Sequence, residues 1–138
     1  MNQQGRKIEP DYLLGFVYLE NGIKEKADFH FDGTIREMQK LIELNEPSIN
    51  CRAYMTLAKI YAARDEKGKA LDYLKKVKDS MGLSIFRIKD FKNCTMLENI
   101  RYEPGFAEYL NKAEARYHSE HDKVEKLLRQ EGILSSLL

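Results

Sequence analysis

Two histidines near the C-terminus are the pair of residues best suited to chemistry in this chain. His118 and His121 are three positions apart, with Glu114, Glu120 and Asp122 close by. On a helix this spacing brings both imidazoles to one side, and imidazole is a common metal ligand. A metal site would also need ligands from a second element, and none is evident in the sequence. The pattern is more typical of a solvated charged helix face, and we predict no metal and no cofactor.

The sequence has none of the local motifs that mark common enzymes. It contains no GxSxG nucleophile elbow, no Walker-type phosphate loop and no HExxH zinc motif. His30 stands alone in an ordinary helical pattern, which packing explains. A catalytic site assembled from distant residues stays open as an alternative, but the prediction is that this protein is not an enzyme.

Charge and hydropathy argue against two classes of partner. The chain has 23 Lys and Arg residues against 22 Asp and Glu, a formal net charge of +1, so no global field attracts nucleic acid. A basic cluster at Lys75, Lys76 and Lys78 is interrupted by Asp72 and Asp79, as on a solvated helix face. No apolar run approaches the length of a membrane span. We therefore predict neither nucleic acid nor membrane as a partner.

The N-terminus and the cysteines indicate the compartment. The first ten residues are polar and lack the apolar core of a signal peptide, so we predict a flexible segment over residues 1–9 and no export signal. Cys51 and Cys94 are far apart and form no CxxC pair, which favours two reduced thiols over a disulfide or a metal role. Together these features predict a cytoplasmic protein.

Two stretches of the chain repeat one another at an offset of 43 positions. The pattern Leu14-Gly15-x-x-Tyr18 returns as Leu57-Ala58-x-x-Tyr61, and Lys26-Ala27 returns as Lys69-Ala70. Such repetition is typical of stacked helical hairpins, which usually bind other molecules and rarely do chemistry.

Apolar residues at helical spacing predict an all-α chain, because no segment shows the alternation of a half-buried strand. Helices are predicted over residues 12–20, 23–44, 49–64, 69–80 and 85–91, with a shorter turn over 96–100 and a long final element from Pro104 to Gly132. Pro10 is placed in the first turn of the first helix and Ser48 at the N-cap of the third. The stop signal of the fourth helix is Gly82.

The side of each helix that faces the core follows from the same spacing. In the first helix Leu14, Val17 and Tyr18 are predicted to point inward. Gly33, in the middle of the second helix, is interpreted as a mild cost in helix stability. A long apolar stripe in the last helix, from Phe106 to Leu128, is predicted to cover the core with its first half.

The repeated pattern resembles the tetratricopeptide (TPR) repeat. In that family a small residue after the Leu lets helix A approach helix B, and an Ala of helix B lies at the closest crossing. Gly15 and Ala58 match the first role, and Ala27 and Ala70 match the second. The sequence departs from the family in its period, since the usual repeat is about 34 residues, and in having Asp11 where an aromatic residue is common.

A second resemblance concerns the end of the chain. The segment from Met96 to Phe106 looks like the closing segment of certain bacterial TPR arrays, and the run from Glu120 to Leu134 is similar to their tail helix. The two resemblances imply a right-handed stack of two TPR-like hairpins, closed by a short helix and a long C-terminal helix. The implied single domain spans residues 10–138, with hairpins over 10–45 and 48–81 and a closing segment over 83–134.

The concave side of such a stack supplies the candidate binding site. The positions predicted to face out of the core there are Tyr12, Phe16, Arg52, Met55 and Lys59. An exposed aromatic beside Met and cations is typical of a peptide-binding surface, with the cations pairing with a carboxylate. The alternative is that the closing segment, or an upstream domain, covers Phe16.

The predicted function is therefore that of a protein- or peptide-binding scaffold. The resemblance implies a module that forms the C-terminal part of a larger bacterial regulatory or signalling protein. One alternative is self-association as a homodimer, in which the final helix and the apolar tail dock on a second copy; the tail residues are Ile133, Leu134, Leu137 and Leu138. An enzyme with a cryptic site is the other.

Overall fold

A computed structural model describes residues 8–80 and 85–132, without the side chains of residues 47, 48, 78–80 and 85–87. The described residues contain no strand, which confirms the all-α class. Their helices are α1 (Tyr12–Glu20), α2 (Lys24–Glu43), α3 (Pro47–Ala63), α4 (Lys67–Ser80), α5 (Ile85–Asn93), a 3-10 helix (Thr95–Ile100) and α6 (Pro104–Gln130). The predictions for residues 1–7, for Gly82 and for the apolar tail 133–138 lie outside the described residues.

Two predicted features of helix starts are wrong. Helix α1 begins at Tyr12, as predicted, but Pro10 lies before the helix and not in its first turn, because Asp11 is the N-cap and its side chain accepts a hydrogen bond from the backbone N–H of Leu13 at 2.9 Å. Helix α3 begins at Pro47, so Ser48 lies inside the helix and is not its cap. Proline is well suited to the first helical position, where its missing N–H has no intrahelical acceptor.

Neighbouring helices pack against each other along the chain. Helix α1 packs on α2, α3 on α4, and α2 on α3, while the 3-10 helix packs on α3 and the first part of α6 contacts α4 and α5. The core lies between these helices. Its largest fully buried side chains within the main cluster are Phe31, Leu57, Ile60, Leu74, Phe91, Leu97, Ile100 and Phe106.

The turns after α1 and α3 have the same hydrogen bonds 43 positions apart. Ile23 donates its N–H to the carbonyl of Tyr18 at 2.9 Å, and Glu66 donates to Tyr61 at 2.8 Å. The residue before each donor has a positive φ, 75° at Gly22 and 61° at Asp65. This conformation closes a helix end, and glycine adopts it most easily. The sequence repeat is therefore matched by a repeated turn.

The ring contacts beside these turns also recur at the same offset. Tyr18 stacks on His30 and Tyr61 stacks on Tyr73, with ring centroids 5.7 Å apart in both pairs. A lysine lies over the tyrosine ring that begins each pair, Lys26 at 5.4 Å from Tyr18 and Lys69 at 5.1 Å from Tyr61. These matches are local. Superposition of the two helix pairs and their right-handed stacking stay predictions.

Gly15 lies at a close contact between α1 and α2. A Cβ at this position would be 3.0 Å from the Cβ of His30 and 3.0 Å from a ring carbon of Phe31. Helix axes can approach this closely only where a side chain is small. The predicted role of Gly15 at a helix crossing is confirmed.

The predicted inward face of α1 is wrong for two of its three residues. Leu14 is 39% exposed and Val17 is 52% exposed, whereas Tyr18 is half-buried. Because Gly15 must meet α2, the helix is rotated so that Leu14 and Val17 turn toward solvent. Their equivalents in α3, Leu57 and Ile60, are fully buried.

The last helix divides into a packed half and an exposed half. Phe106, Tyr109 and Leu110 are buried, as predicted for the half that covers the core, while Val124 and Leu127 are exposed. Among the described residues, no helix combines the length and the apolar composition that a membrane crossing requires.

Candidate functional site

A cavity of about 810 Å³ lies between the first three helices and α5. Tyr12, Arg52, Met55 and Lys59 all line it. The structure therefore brings together four of the five residues predicted for a binding groove. The other lining residues are Glu9, Pro10, Asp11, Thr34, Glu37, Met38, Leu41, Ile49, Thr56 and Asp90.

Phe16, the fifth predicted residue, does not belong to the described lining of this cavity. Its side chain is half-buried and packs against the core cluster. The apolar surface of the cavity comes instead from Met38, Leu41 and Ile49, in addition to the predicted Tyr12 and Met55. Met38 and Leu41 of α2 were not predicted to line a groove, because their helical spacing continues the apolar face of α2 and is typical of core residues.

One wall of the cavity is the segment that leads into α1, and two contacts hold it on α2. The backbone N–H of Asp11 donates to Nδ1 of the buried His30 at 3.0 Å. The ring of Pro10 lies directly over Gly33, where a Cβ would be only 2.3 Å from the proline Cγ. Gly33 is therefore more than a mild cost in helix stability, because it leaves the space that this wall occupies.

A lysine and an aspartate from distant helices meet in the cavity. Lys59 Nζ lies 3.8 Å from the Asp90 carboxylate. The Lys59 side chain is only 15% exposed, whereas Asp90 is 66% exposed. Asp90 belongs to α5, so the closing segment reaches the cavity and neutralises one of its two cations.

The described lining has more acidic than basic residues. Glu9, Asp11, Glu37 and Asp90 supply four carboxylates, against the two cations of Arg52 and Lys59. One of these carboxylates, that of Asp11, also caps α1. The described residues thus give the cavity a negative balance, which contrasts with the prediction that it would hold a carboxylate.

Thr34 adds a polar group without a partner to the lining. Its Oγ1 atom is buried and makes no hydrogen bond with any described group. A buried hydroxyl of this kind is costly unless something satisfies it. It is positioned on α2, within the lining of the same cavity.

A second cavity, of about 570 Å³, lies at the turns after α1 and α3, and its central cation is already paired. Arg64 Nη2 lies 3.0 Å from the Asp28 carboxylate and 2.7 Å from that of Asp32. Its guanidinium also stands 5.2 Å from the centre of the Phe31 ring. These contacts join the end of α3 to α2. The charged residues Arg64, Asp28 and Asp32 therefore have a structural role.

Of the two histidines of α6, the structure groups only His121 with other potential metal ligands. A potential donor set is formed instead by His121, Asp122 and Glu125, whose ligand atoms lie within 4.8 Å of one another. The His118 ring lies edge-on to Tyr117, with centroids 5.4 Å apart. All three potential ligands come from one stretch of a surface helix, and a second element adds none among the described residues. Such a set is common without a metal.

The comparisons with known proteins add no family to this geometry. No family model, no curated protein and no solved structure matches the chain.

Proposed function

We propose that this protein binds a segment of polypeptide in the 810 Å³ cavity, which we call the groove. The observation behind the proposal is that residues of α1, α2 and α3 together form its floor and walls, with apolar side chains next to unpaired polar groups. Apolar anchors with a few placed polar groups are the usual composition of a recognition site.

The chemistry of the lining supports binding over catalysis. Among its described residues there is no serine, cysteine or histidine, so a nucleophile–base pair of the common kinds is not assembled there. The two threonines and the Lys59–Asp90 pair are suited to hydrogen bonding and to ion pairing. We also propose a reducing compartment such as the cytoplasm, where Cys51 and Cys94 would stay free thiols.

Selection of random short peptides displayed on phage tests the proposal. The wild-type protein should enrich a family of related sequences. The variant with Tyr12→Ala and Met55→Ala should bind the enriched peptides at least tenfold more weakly, because it removes two apolar walls of the groove (tenfold corresponds to about 1.4 kcal/mol).

A control variant with Val124→Ala and Leu127→Ala changes two exposed apolar residues of α6, far along the chain from the groove. It should bind the enriched peptides as the wild type does. Equal binding by the wild type and the Tyr12/Met55 variant would show that the groove is not the site.

Self-association is a second candidate function, favoured by the exposure of Val124 and Leu127 on the distal half of α6. A helix with an exposed apolar stripe can bury it against a second copy. Sedimentation velocity of the wild type and of the variant with Val124→Ser and Leu127→Ser would test this. A wild-type protein that stays monomeric at high concentration would exclude it.

A further inference from the structure

We infer that the groove selects a basic segment, one that presents Lys or Arg beside its apolar side chains. This inference rests on the proposed function of the groove and adds the chemistry of its partner. It also reverses the prediction from the sequence, in which Arg52 and Lys59 would hold a carboxylate.

The first reason is that Lys59 is not available to a ligand. Its side chain is largely buried, and its ammonium faces the Asp90 carboxylate 3.8 Å away. A carboxylate of the ligand would have to displace Asp90, and it would regain only the same kind of ion pair. Arg52 is then the single cation left in the described lining.

The second reason is that two carboxylates of the lining have no ion-pair partner among the described residues. Glu9 and Glu37 are both exposed, and they belong to the segment before α1 and to the middle of α2. A cation on the ligand can therefore pair with a carboxylate of the lining that has no ion-pair partner of its own. An acidic residue would meet repulsion instead.

The third reason is that the Asp90 carboxylate stays accessible to a second donor. Two thirds of its side chain are exposed even though it pairs with Lys59, and a carboxylate can accept from more than one donor. A ligand ammonium or guanidinium can therefore approach Asp90 from the groove without breaking the internal pair.

Three synthetic peptides test the inference. They share one pattern of apolar residues, and all their remaining positions are Lys in the first peptide, Gln in the second and Glu in the third. Fluorescence anisotropy should give the tightest binding for the Lys peptide, then the Gln peptide, and the weakest for the Glu peptide. The Lys and Glu peptides should differ on the order of tenfold at low salt, and the difference should shrink as salt is added, because exposed charges are screened.

Glu37→Gln should weaken the binding of the Lys peptide several-fold and leave the affinity for the Gln peptide unchanged. The matched control is Glu43→Gln, an exposed glutamate of the same helix that does not line the groove. It should change neither affinity. Asp90→Asn should free Lys59 and reduce the preference for the Lys peptide over the Glu peptide.

The outcomes separate the two claims. Binding of all three peptides with equal affinity, or tightest binding of the Glu peptide, would overturn the basic preference and leave the groove as a peptide site. Failure of all three peptides to bind, together with no enrichment from the random library, would overturn the proposed function itself.

Discussion

Leu57 and Leu14 occupy equivalent positions of the sequence repeat but opposite environments, so their replacement by alanine should have very different costs. Leu57 is fully buried, whereas Leu14 is 39% exposed. Leu57→Ala should lower the free energy of unfolding by about 2–5 kcal/mol, since it removes buried apolar surface and leaves a cavity in a close-packed core. Leu14→Ala should cost less than about 1.5 kcal/mol, because water fills the space and only part of the side chain leaves contact.

The environment of Leu57 explains why its cost is the larger. Arg64 directly follows α3, at spacings of seven and four residues from Leu57 and Ile60, and it reaches Asp28 and Asp32 of α2. Helix α2 therefore covers this side of α3. In the described residues no helix covers the equivalent side of α1.

Urea unfolding followed by far-ultraviolet circular dichroism measures both variants under the same conditions. The m-value should stay constant, so that the shift in midpoint reports stability. A second pair, Ile60→Ala and Val17→Ala, provides an independent comparison at the neighbouring equivalent positions. Equal losses within each pair would refute the rotation of α1 and the open face that it creates.

Other predictions concern a buried tyrosine and the wall of the groove. Burial raises the pKa of Tyr109 above its usual value near 10, with a smaller contribution from Cys51. The contribution of Tyr109 to folding stability should therefore be constant below about pH 10 and fall as the pH rises further, since the unfolded state releases the phenol proton first. Tyr109→Phe should remove this loss of stability at alkaline pH. It should also stabilise the fold by on the order of 1 kcal/mol at neutral pH, because the buried hydroxyl has no hydrogen-bond partner. An unchanged pH dependence of stability in chemical unfolding would contradict this. Gly33→Ala should push Pro10 off α2 and break the bond from the Asp11 N–H, so hydrogen exchange at Asp11 should accelerate while helix content stays constant. Unchanged exchange would show that the wall does not depend on Gly33.

The end of α1 was predictable from the sequence because its signal is local. The predicted helix over residues 12–20 stops before Asn21-Gly22, and the structure ends that helix at Glu20 with a positive φ at Gly22. The offset of 43 also places Tyr12 with Met55, and both line the groove. Residues that occupy equivalent places in a repeat tend to face the same way.

The rotation of α1 was not predictable from its apolar pattern. Apolar residues occur on every side of this helix, at Leu13, Leu14, Phe16, Val17 and Leu19. Periodicity cannot choose a face when none is polar. The choice depends on the close approach at Gly15, which is a property of two helices together.

The charge balance of the groove was also beyond the sequence, because it depends on pairs of distant residues. Lys59 and Asp90 lie 31 positions apart and belong to helices whose relative placement no local signal specifies. The contact between Pro10 and Gly33 is of the same kind. The basic residues predicted for the groove were correctly located, but their availability depends on partners from elsewhere in the fold.

The groove is tested most directly by a nuclear magnetic resonance titration of the isotope-labelled protein with the Lys peptide. Amide shifts that saturate with the peptide and cluster around Tyr12, Thr34, Met55 and Asp90 are the predicted result. Shifts confined to the distal half of α6, around Val124 and Leu127, would contradict the groove as the binding site, as would an unchanged spectrum at a large excess of peptide.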